Sequence, residues 1–433
     1  MKTAGYASIV LFVSDNIGQL EKCLCHILDY TPSQQYELIV VETMDCAEMH
    51  EYVSGLPNIQ VLAYAPDMSA GARYKTAAGL ATGMNIVFLY DWALLYDRWL
   101  VALYSALADH QNAAVVQPFL GEDDYSVDQE DLKIDGGCFL ISRQVLQAAG
   151  GFDGCYFTEF MCLADLAYRI FRSKKRIVNV AACQVDCSAW NLFSVNQDLY
   201  LQDSERYKKR YGFSFIYCTH SREELVGLLD YKKPDVNILD IGCACGANLL
   251  LIKNANPSAK LYGLELCEPA AEVASNFADV KVADFEKFEQ DDFCDKFDYI
   301  IMGDVLEHLF DTDKALQKVW KWLRPGGELV VSVPNVSHVS VIADALEGKW
   351  IYADSGILDR THVRFFTRMS MRQCLQENNF FVKNMHRAII NYGEGELANQ
   401  LMDTLVKLPL LKIDRKDLET YQIVYLAEKR VNR

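Results

Sequence analysis

Two carboxylates bracket a turn of small residues between Val236 and Glu265. Val236-Asn-Ile-Leu-Asp240-Ile-Gly242-Cys-Ala-Cys-Gly246 runs into the helical pattern Ala247-Asn-Leu-Leu-Leu251, and Lys260-Leu-Tyr-Gly263-Leu-Glu265 follows. An apolar run ends in an acid, then come a turn, a helix and a second strand that ends in a second acid. This is a β-turn-α-β unit, in which a ligand can lie against bare backbone at a helix N-terminus. Glu265 falls about twenty residues beyond the turn, where a carboxylate can accept both ribose hydroxyls of a nucleoside. A dinucleotide fingerprint fits less well, because it needs glycine where Ala244 and Ala247 stand. Ala244 is tolerable in the turn if its φ stays negative.

Further groups with chemistry follow in the same half. Val280-Lys-Val-Ala-Asp284-Phe285 reads as a strand ending in an acid and an aromatic, and Phe297 to Asp304 as a buried strand that runs through Gly303. Two polar loops come next, Pro334-Asn-Val-Ser-His338 and the stretch from Gly348 to Thr367. A histidine titrates near neutrality and is the economical base for a hydroxyl proton, so His338 and His362 are candidates, with Asp359 as orienter. Arg360 and Arg364 suit an acceptor phosphate or carboxylate, and Trp350 and Tyr352 lie in the same loop on the expected substrate side. Cys243 and Cys245 lack a second matched pair, so they read as small turn residues and no metal site is expected.

The elements that must carry these groups call for two domains. The chain has 433 residues, half of them apolar, which exceeds one usual core. A formal charge of −17 argues against nucleic acid or an anionic membrane as partner. No apolar run reaches a membrane-spanning length, since Asp91, Asp97 and Arg98 interrupt the richest one. The start of the chain lacks a signal peptide's apolar core, and the 14 cysteines sit mostly in apolar segments, which fits reduced thiols and a cytoplasmic location. Strand and helix signals alternate through both halves, so the fold class is α/β, with domains at 1–212 and 213–433. Between them, Ala189 to Tyr231 reads as a helical connection, and Ser221 to Asp230 as an amphipathic helix with a capping box. Residues 391–417 read as a helical insertion between two closing antiparallel strands.

The second half resembles class I S-adenosylmethionine-dependent methyltransferases. The blocks Ile238 to Gly246, Tyr262 to Glu265, Ala283-Asp284-Phe285, Gly303-Asp-Val-Leu-Glu-His308 and Leu323-Arg-Pro-Gly-Gly327 stand in family order and at family spacing. The resemblance implies a Rossmann-like sheet of seven strands with S-adenosylmethionine as cofactor. It implies that Gly242, Cys243 and Gly246 lie against the methionine part, with Asp240 near its ammonium. Glu265 would take the ribose, Asp284 the adenine amino group and Phe285 the adenine face, while Gly303 and Asp304 border the sulfonium. The stretch Asp359-Arg-Thr-His-Val-Arg-Phe-Phe-Thr367 is similar to a block of methyltransferases associated with surface-glycan synthesis.

The first half resembles GT-A-fold glycosyltransferases through Ser8 to Val13, Glu37 to Glu42, Phe88 to Trp92 and Gly136 to Arg143. Glu42 stands where that family holds a uridine ring or ribose. The two positions of the family's Asp-x-Asp metal clamp are Tyr90 and Trp92, and its acidic catalytic block keeps only Asp165. A transferase without clamp or base lacks its means of stabilising a leaving diphosphate. The expectation is therefore a methyltransferase that O-methylates a sugar or glycan intermediate, with a degenerate GT-A-like domain binding carbohydrate or nucleotide-sugar. The rivals are a bifunctional glycosyl- and methyltransferase and a non-enzymatic cofactor-binding scaffold.

Overall fold

A computed structural model describes residues 6–119, 126–186, 196–389, 396–409 and 412–430. The chain divides into two compact units, Met1–Thr219 and His220–Arg433.

In the first unit the strands are β1 (Ala7–Phe12), β2 (Tyr36–Thr43), β3 (Ile59–Tyr64), β4 (Asn85–Tyr90), β5 (Leu94–Leu95), β6 (Ala113–Pro118), β7 (Gln129–Asp131), β8 (Cys138–Ser142), β9 (Arg176–Val180) and β10 (Val185–Asp186). Eight of them form one mixed sheet in the order β3-β2-β1-β4-β8-β6-β9-β7, with β3, β2, β1 and β4 parallel. All six residues of β1 are buried, as a central strand covered by helices on both faces requires. The strand expected from Ile134 starts only at Cys138. This unit continues past residue 212, because Phe215 packs 5.7 Å from Tyr207 and 6.2 Å from Phe160. The expected connection is helical over Gln197–Tyr211 and is capped by Asn196, while residues 187–195 lie outside the described residues.

In the second unit the strands are β11 (Asn237–Ile241), β12 (Lys260–Glu265), β13 (Asp279–Val282), β14 (Phe297–Gly303), β15 (Leu323–Pro334), β16 (Phe380–Ala388) and β17 (Gln422–Lys429). They form the seven-stranded sheet expected of this half, in the order β13-β12-β11-β14-β15-β17-β16. The first five are parallel, and β17 runs antiparallel to both β15 and β16. The order reverses between β11 and β14, and the carboxyl ends of strands flanking such a reversal open a crevice. Asp240, Gly242, Glu265 and Asp304 all lie at those ends.

Two expectations about helices change. Ser221 to Asp230 forms only a short helix, Glu223–Val226, without a side-chain cap, because the Arg222 side chain is drawn to Asp304. Within 391–417, helices form at Glu396–Val406 and Arg415–Glu419, and Met402 and Leu418 pack on Val339. Residues 391–395 and 410–411 of that insertion lie outside the described residues. No helix among the described residues is long and apolar enough to cross a membrane.

Candidate functional site

The turn after β11 is built by backbone conformation. Gly242 has φ +74°, and a Cβ there would meet Val305 Cγ2 at 2.9 Å. Ala244 departs from the expected negative φ, lying at +49°. That left-handed placement costs an alanine roughly 1 kcal/mol, and the Ala244 amide is engaged there by Glu265 Oε2 at 2.8 Å. Gly246, at φ +78°, leads into the helix Ala247–Ala255, where a Cβ would strike Ala274 and Phe277. The Cys243 thiol packs against Gly263 of β12, so this residue offers the crevice only its backbone. Cys245 is fully buried, as a small turn residue would be.

Four amides of this turn already have acceptors. Gly242 and Cys243 donate to the Leu264 carbonyl at 2.8 and 3.2 Å, Ala244 donates to Glu265, and Gly246 donates to the Cys243 carbonyl at 2.7 Å. A phosphate cradle needs free amides at this place. Here the turn supplies shape, and the charges around it are negative.

Asp240 is 2% exposed and accepts one hydrogen bond, from Asn248 Nδ2 at 3.2 Å. Burial, with the Glu265 charge adding to it, pushes its carboxyl up to about 7. Glu265 is held by two amides, Ala244 on Oε2 and Cys267 on Oε1 at 2.7 Å. Each oxygen keeps a further lone pair, so the carboxylate is oriented and still able to accept. Asp284 faces solvent and pairs with Lys287 at 2.7 Å, whose hydrogen bond holds its carboxyl below the ordinary range. Phe285 corrects the expectation of an adenine-facing ring. It is 7% exposed and sits in the core, with Trp322 edge-on at 5.8 Å.

Gly303 packs under Leu225, whose Cδ1 lies 2.9 Å from where a Cβ would stand. Asp304 takes φ +56° and is the centre of a network. Its carboxylate accepts from Arg222 Nη1 at 2.7 Å, from Ser332 Oγ at 2.8 Å and from Gln422. The Arg222 amide also donates to Asn248 Oδ1 at 2.8 Å, which ties this network to Asp240. Sequence reasoning missed Arg222, Ser332 and Gln422. Gln422 gave no signal, because strand pairing brings it in from a distant part of the chain.

The histidines sort differently from expectation. His338 is 1% exposed and caps the helix Val339–Leu346, with Nδ1 accepting from the Ser340 amide at 3.3 Å. Nδ1 is engaged in the cap and Nε2 is buried, which disfavours His338 as the base. His362 instead meets His308, ring centroids 4.8 Å apart. His362 Nδ1 lies 2.9 Å from the Ile357 carbonyl, which can only accept, so Nδ1 carries the proton and Nε2 presents a lone pair. His308 Nδ1 lies 3.3 Å from the Thr361 carbonyl and 3.2 Å from its hydroxyl. That hydroxyl donates to Asp359 Oδ1 at 2.6 Å, so Asp359 orients His308 through Thr361 and not His362 directly. Burial, with the neighbouring His362, pushes the His308 imidazolium down.

The remaining loop residues are held by local partners. Arg360 pairs with Asp354 at 2.6 Å on the surface, and Arg364 donates to the Phe310 carbonyl at 2.6 Å. Trp350 and Tyr352 are exposed and flank Phe365 at 5.7 and 6.4 Å.

At the carboxyl ends in the first unit, Glu42 is fully buried with Oε1 2.5 Å from His50 Nδ1. Asp91 is fully buried too, and accepts from the Ser14 amide and hydroxyl at 2.7 and 2.8 Å. The Tyr90 and Trp92 rings stack at 5.5 Å in the two clamp positions. Asp165 is buried against Arg169 and the Tyr211 hydroxyl, both at 2.6 Å.

Residues 217–383 match the family described as a methyltransferase domain, which is less than half of the chain. The chain is 28% identical over 136 residues to phosphoethanolamine N-methyltransferase 3 of Arabidopsis thaliana, covering 29% of this chain and 27% of that protein. It is 32% identical over 115 residues to trans-aconitate 2-methyltransferase of Deinococcus radiodurans, covering 25% of this chain and 42% of the other. It thus spans well under half the length of either relative. A solved S-adenosylmethionine-dependent methyltransferase from Archaeoglobus fulgidus aligns with 52% of this chain and 99% of its own, at 16% identity and a TM-score of 0.35.

Proposed function

We propose that the S-adenosylmethionine-dependent methyltransferase domain in the second unit methylates a hydroxyl of a sugar or glycan intermediate. The first unit, read as GT-A-like, assists by binding carbohydrate or nucleotide-sugar. The observation that carries the cofactor side is the charge of the crevice. Four turn amides are engaged, which disfavours a pyrophosphate. Asp240 is buried with no ion-pair partner among the described residues, the Arg222 charge reaching it only across Asn248. A buried carboxylate without a direct ion pair fits an ammonium group, and the free lone pairs of Glu265 fit a ribose diol. When bound, S-adenosylmethionine supplies a methyl group on a sulfonium.

The chain's residues then divide the work. Asp240 and Glu265 hold the two ends of the ligand, and the Arg222–Asp304–Ser332 network fixes the wall between β11 and β14. A hydroxyl gives its proton to Nε2 of His362, whose Nδ1–H is held by Ile357. The acceptor class is motivated by the Asp359 to Thr367 block and by the GT-A-like reading of the first unit. Glycosyl transfer itself is disfavoured: Asp165 is closed in an ion pair, and aromatic rings fill the clamp positions.

The test is formation of S-adenosylhomocysteine by the full chain over a panel of sugars, sugar nucleotides and lipid-linked saccharides. Turnover on a saccharide hydroxyl is expected. Turnover only on amines or carboxylates would overturn the acceptor class, and cofactor binding with no turnover on any acceptor would favour a scaffold.

A further inference from the structure

Glu307 has no assigned task, and its placement is costly. It is 1% exposed, and neither carboxylate oxygen has a hydrogen-bond partner among the described residues. Such a group needs a cation or a proton, because an unpaired buried charge is unfavourable by several kcal/mol. The ligand atoms of Glu307, His308 and His362 lie within 4.8 Å of one another. Nδ1 of each imidazole faces the carbonyl of Thr361 or Ile357, which leaves each Nε2 with a lone pair for a ligand. Backbone carbonyls and a carboxylate relay behind ring Nδ1 atoms are the usual support of metal-bound histidines.

We propose that Glu307, His308 and His362 bind one divalent first-row transition ion beside the methyl-transfer crevice. Three atoms around one ion stand roughly 3.4 Å apart at ordinary ligand distances, so the side chains close by about an ångström on binding. Two imidazoles and one carboxylate favour zinc or cobalt over manganese, and more so over magnesium or calcium. Three protein ligands leave coordination positions open, as in catalytic sites.

Glu307 follows the Asp304 wall by three residues, and the amides of Val363 and Arg364 clasp its backbone carbonyl at 2.8 and 3.0 Å. That clasp joins the loop of the crevice to the loop that carries His362. What the ion does rests on the methyl-transfer reading. An acceptor hydroxyl in an open position becomes more acidic and gives its proton to water. The Nε2 atom of His362 is then a ligand, and no longer the proton acceptor.

The test is titration of Co²⁺, Zn²⁺, Mn²⁺ and Mg²⁺ into the chelator-treated full chain, followed by calorimetry and by cobalt ligand-field absorption. One Co²⁺ per chain is expected at a Kd of about 10 µM or tighter, with Mg²⁺ weaker. Glu307→Gln, His308→Gln and His362→Gln each weaken cobalt at least about 100-fold. His386→Gln, an exposed histidine on β16, leaves it unchanged. Added zinc raises the melting temperature of the unaltered chain but not of the three variants, which also controls for folding. No ion bound below millimolar concentration, or binding insensitive to all three substitutions, overturns the site. S-adenosylmethionine affinity is measured on the same samples. Metal without cofactor binding sinks the methyl-transfer reading alone, and cofactor without metal binding sinks this proposal alone.

Discussion

Both units reverse their strand order beside the first strand, β1/β4 in one and β11/β14 in the other. Each therefore places acids at a crevice of the same kind, yet the acids are treated differently. In the first unit Asp165, on the helix Glu159–Arg172, has both oxygens paired, with Arg169 and Tyr211. Asp91 and Glu42 each pair one oxygen, with Ser14 and His50, and leave the other without a hydrogen bond among the described residues. In the second unit Asp240 keeps a single amide donor, Glu265 keeps lone pairs, and the Glu307 carboxylate has no hydrogen-bond partner among the described residues. A crevice keeps chemistry where its charges are left for a ligand to satisfy. Where the protein satisfies them itself, the charges carry stability.

That contrast can be broken by substitution. Asp165→Ala leaves Arg169 without its carboxylate and is expected to lower stability by about 3 kcal/mol, read from the urea midpoint, with no change in cofactor affinity. Glu265→Ala is expected to do the reverse, weakening S-adenosylmethionine by roughly ten- to a hundredfold through lost charge-assisted hydrogen bonds, with the urea midpoint nearly unmoved. If both substitutions moved the same observable, the division between the units would fail.

A pH profile sharpens the comparison at smaller scale. Asp240 titrates near 7 when folded, above its ordinary 3.8, so the folded chain holds a proton that the unfolded chain has released. Without cofactor, its contribution to stability is fully present below 3.8 and is lost as pH rises through 7. Cofactor binding has the opposite sign, because an ammonium favours the ionised carboxylate. Affinity is expected to rise by up to about tenfold per pH unit below 7 and to fall again as an amino group of pKa about 7.7–8.0 loses its charge. Asp240→Asn removes the acid limb, and an unchanged limb would assign it elsewhere. The smallest effect is expected at Arg360→Ala, an exposed pair with Asp354, at under about 0.5 kcal/mol of stability.

Much of this was legible in the sequence, for local reasons. The acid-turn-helix-acid unit, the strands of the seven-stranded sheet and the closing pair follow from periodicity and glycine placement within short windows. The lost clamp at Tyr90 and Trp92 was readable because residue type alone decides it. What was not legible depends on long-range placement. His338 looked like a base, but a histidine just before Val339-Ser340 reads the same as a helix cap, which it is. His308 and His362 meet only because the loop through Val363 folds onto Glu307. Phe285 follows Asp284 whether its ring faces a ligand or Trp322, and only the packing of the helix Thr312–Trp322 decides. Ser221 to Asp230 had an amphipathic period, but the bonds from Arg222 to Asp304 and Gln422 hold its start away from a longer helix.

The central claim is that the uncommitted charges of the second unit form a cofactor site. Calorimetric titration of S-adenosylmethionine into the full chain at pH 7.5 tests it most directly. The account predicts one site per chain, tighter than about 1 mM, and lost in the Asp240→Asn, Glu265→Ala double variant while the fold persists. No heat of binding below that concentration, or equal binding by the double variant, would contradict it.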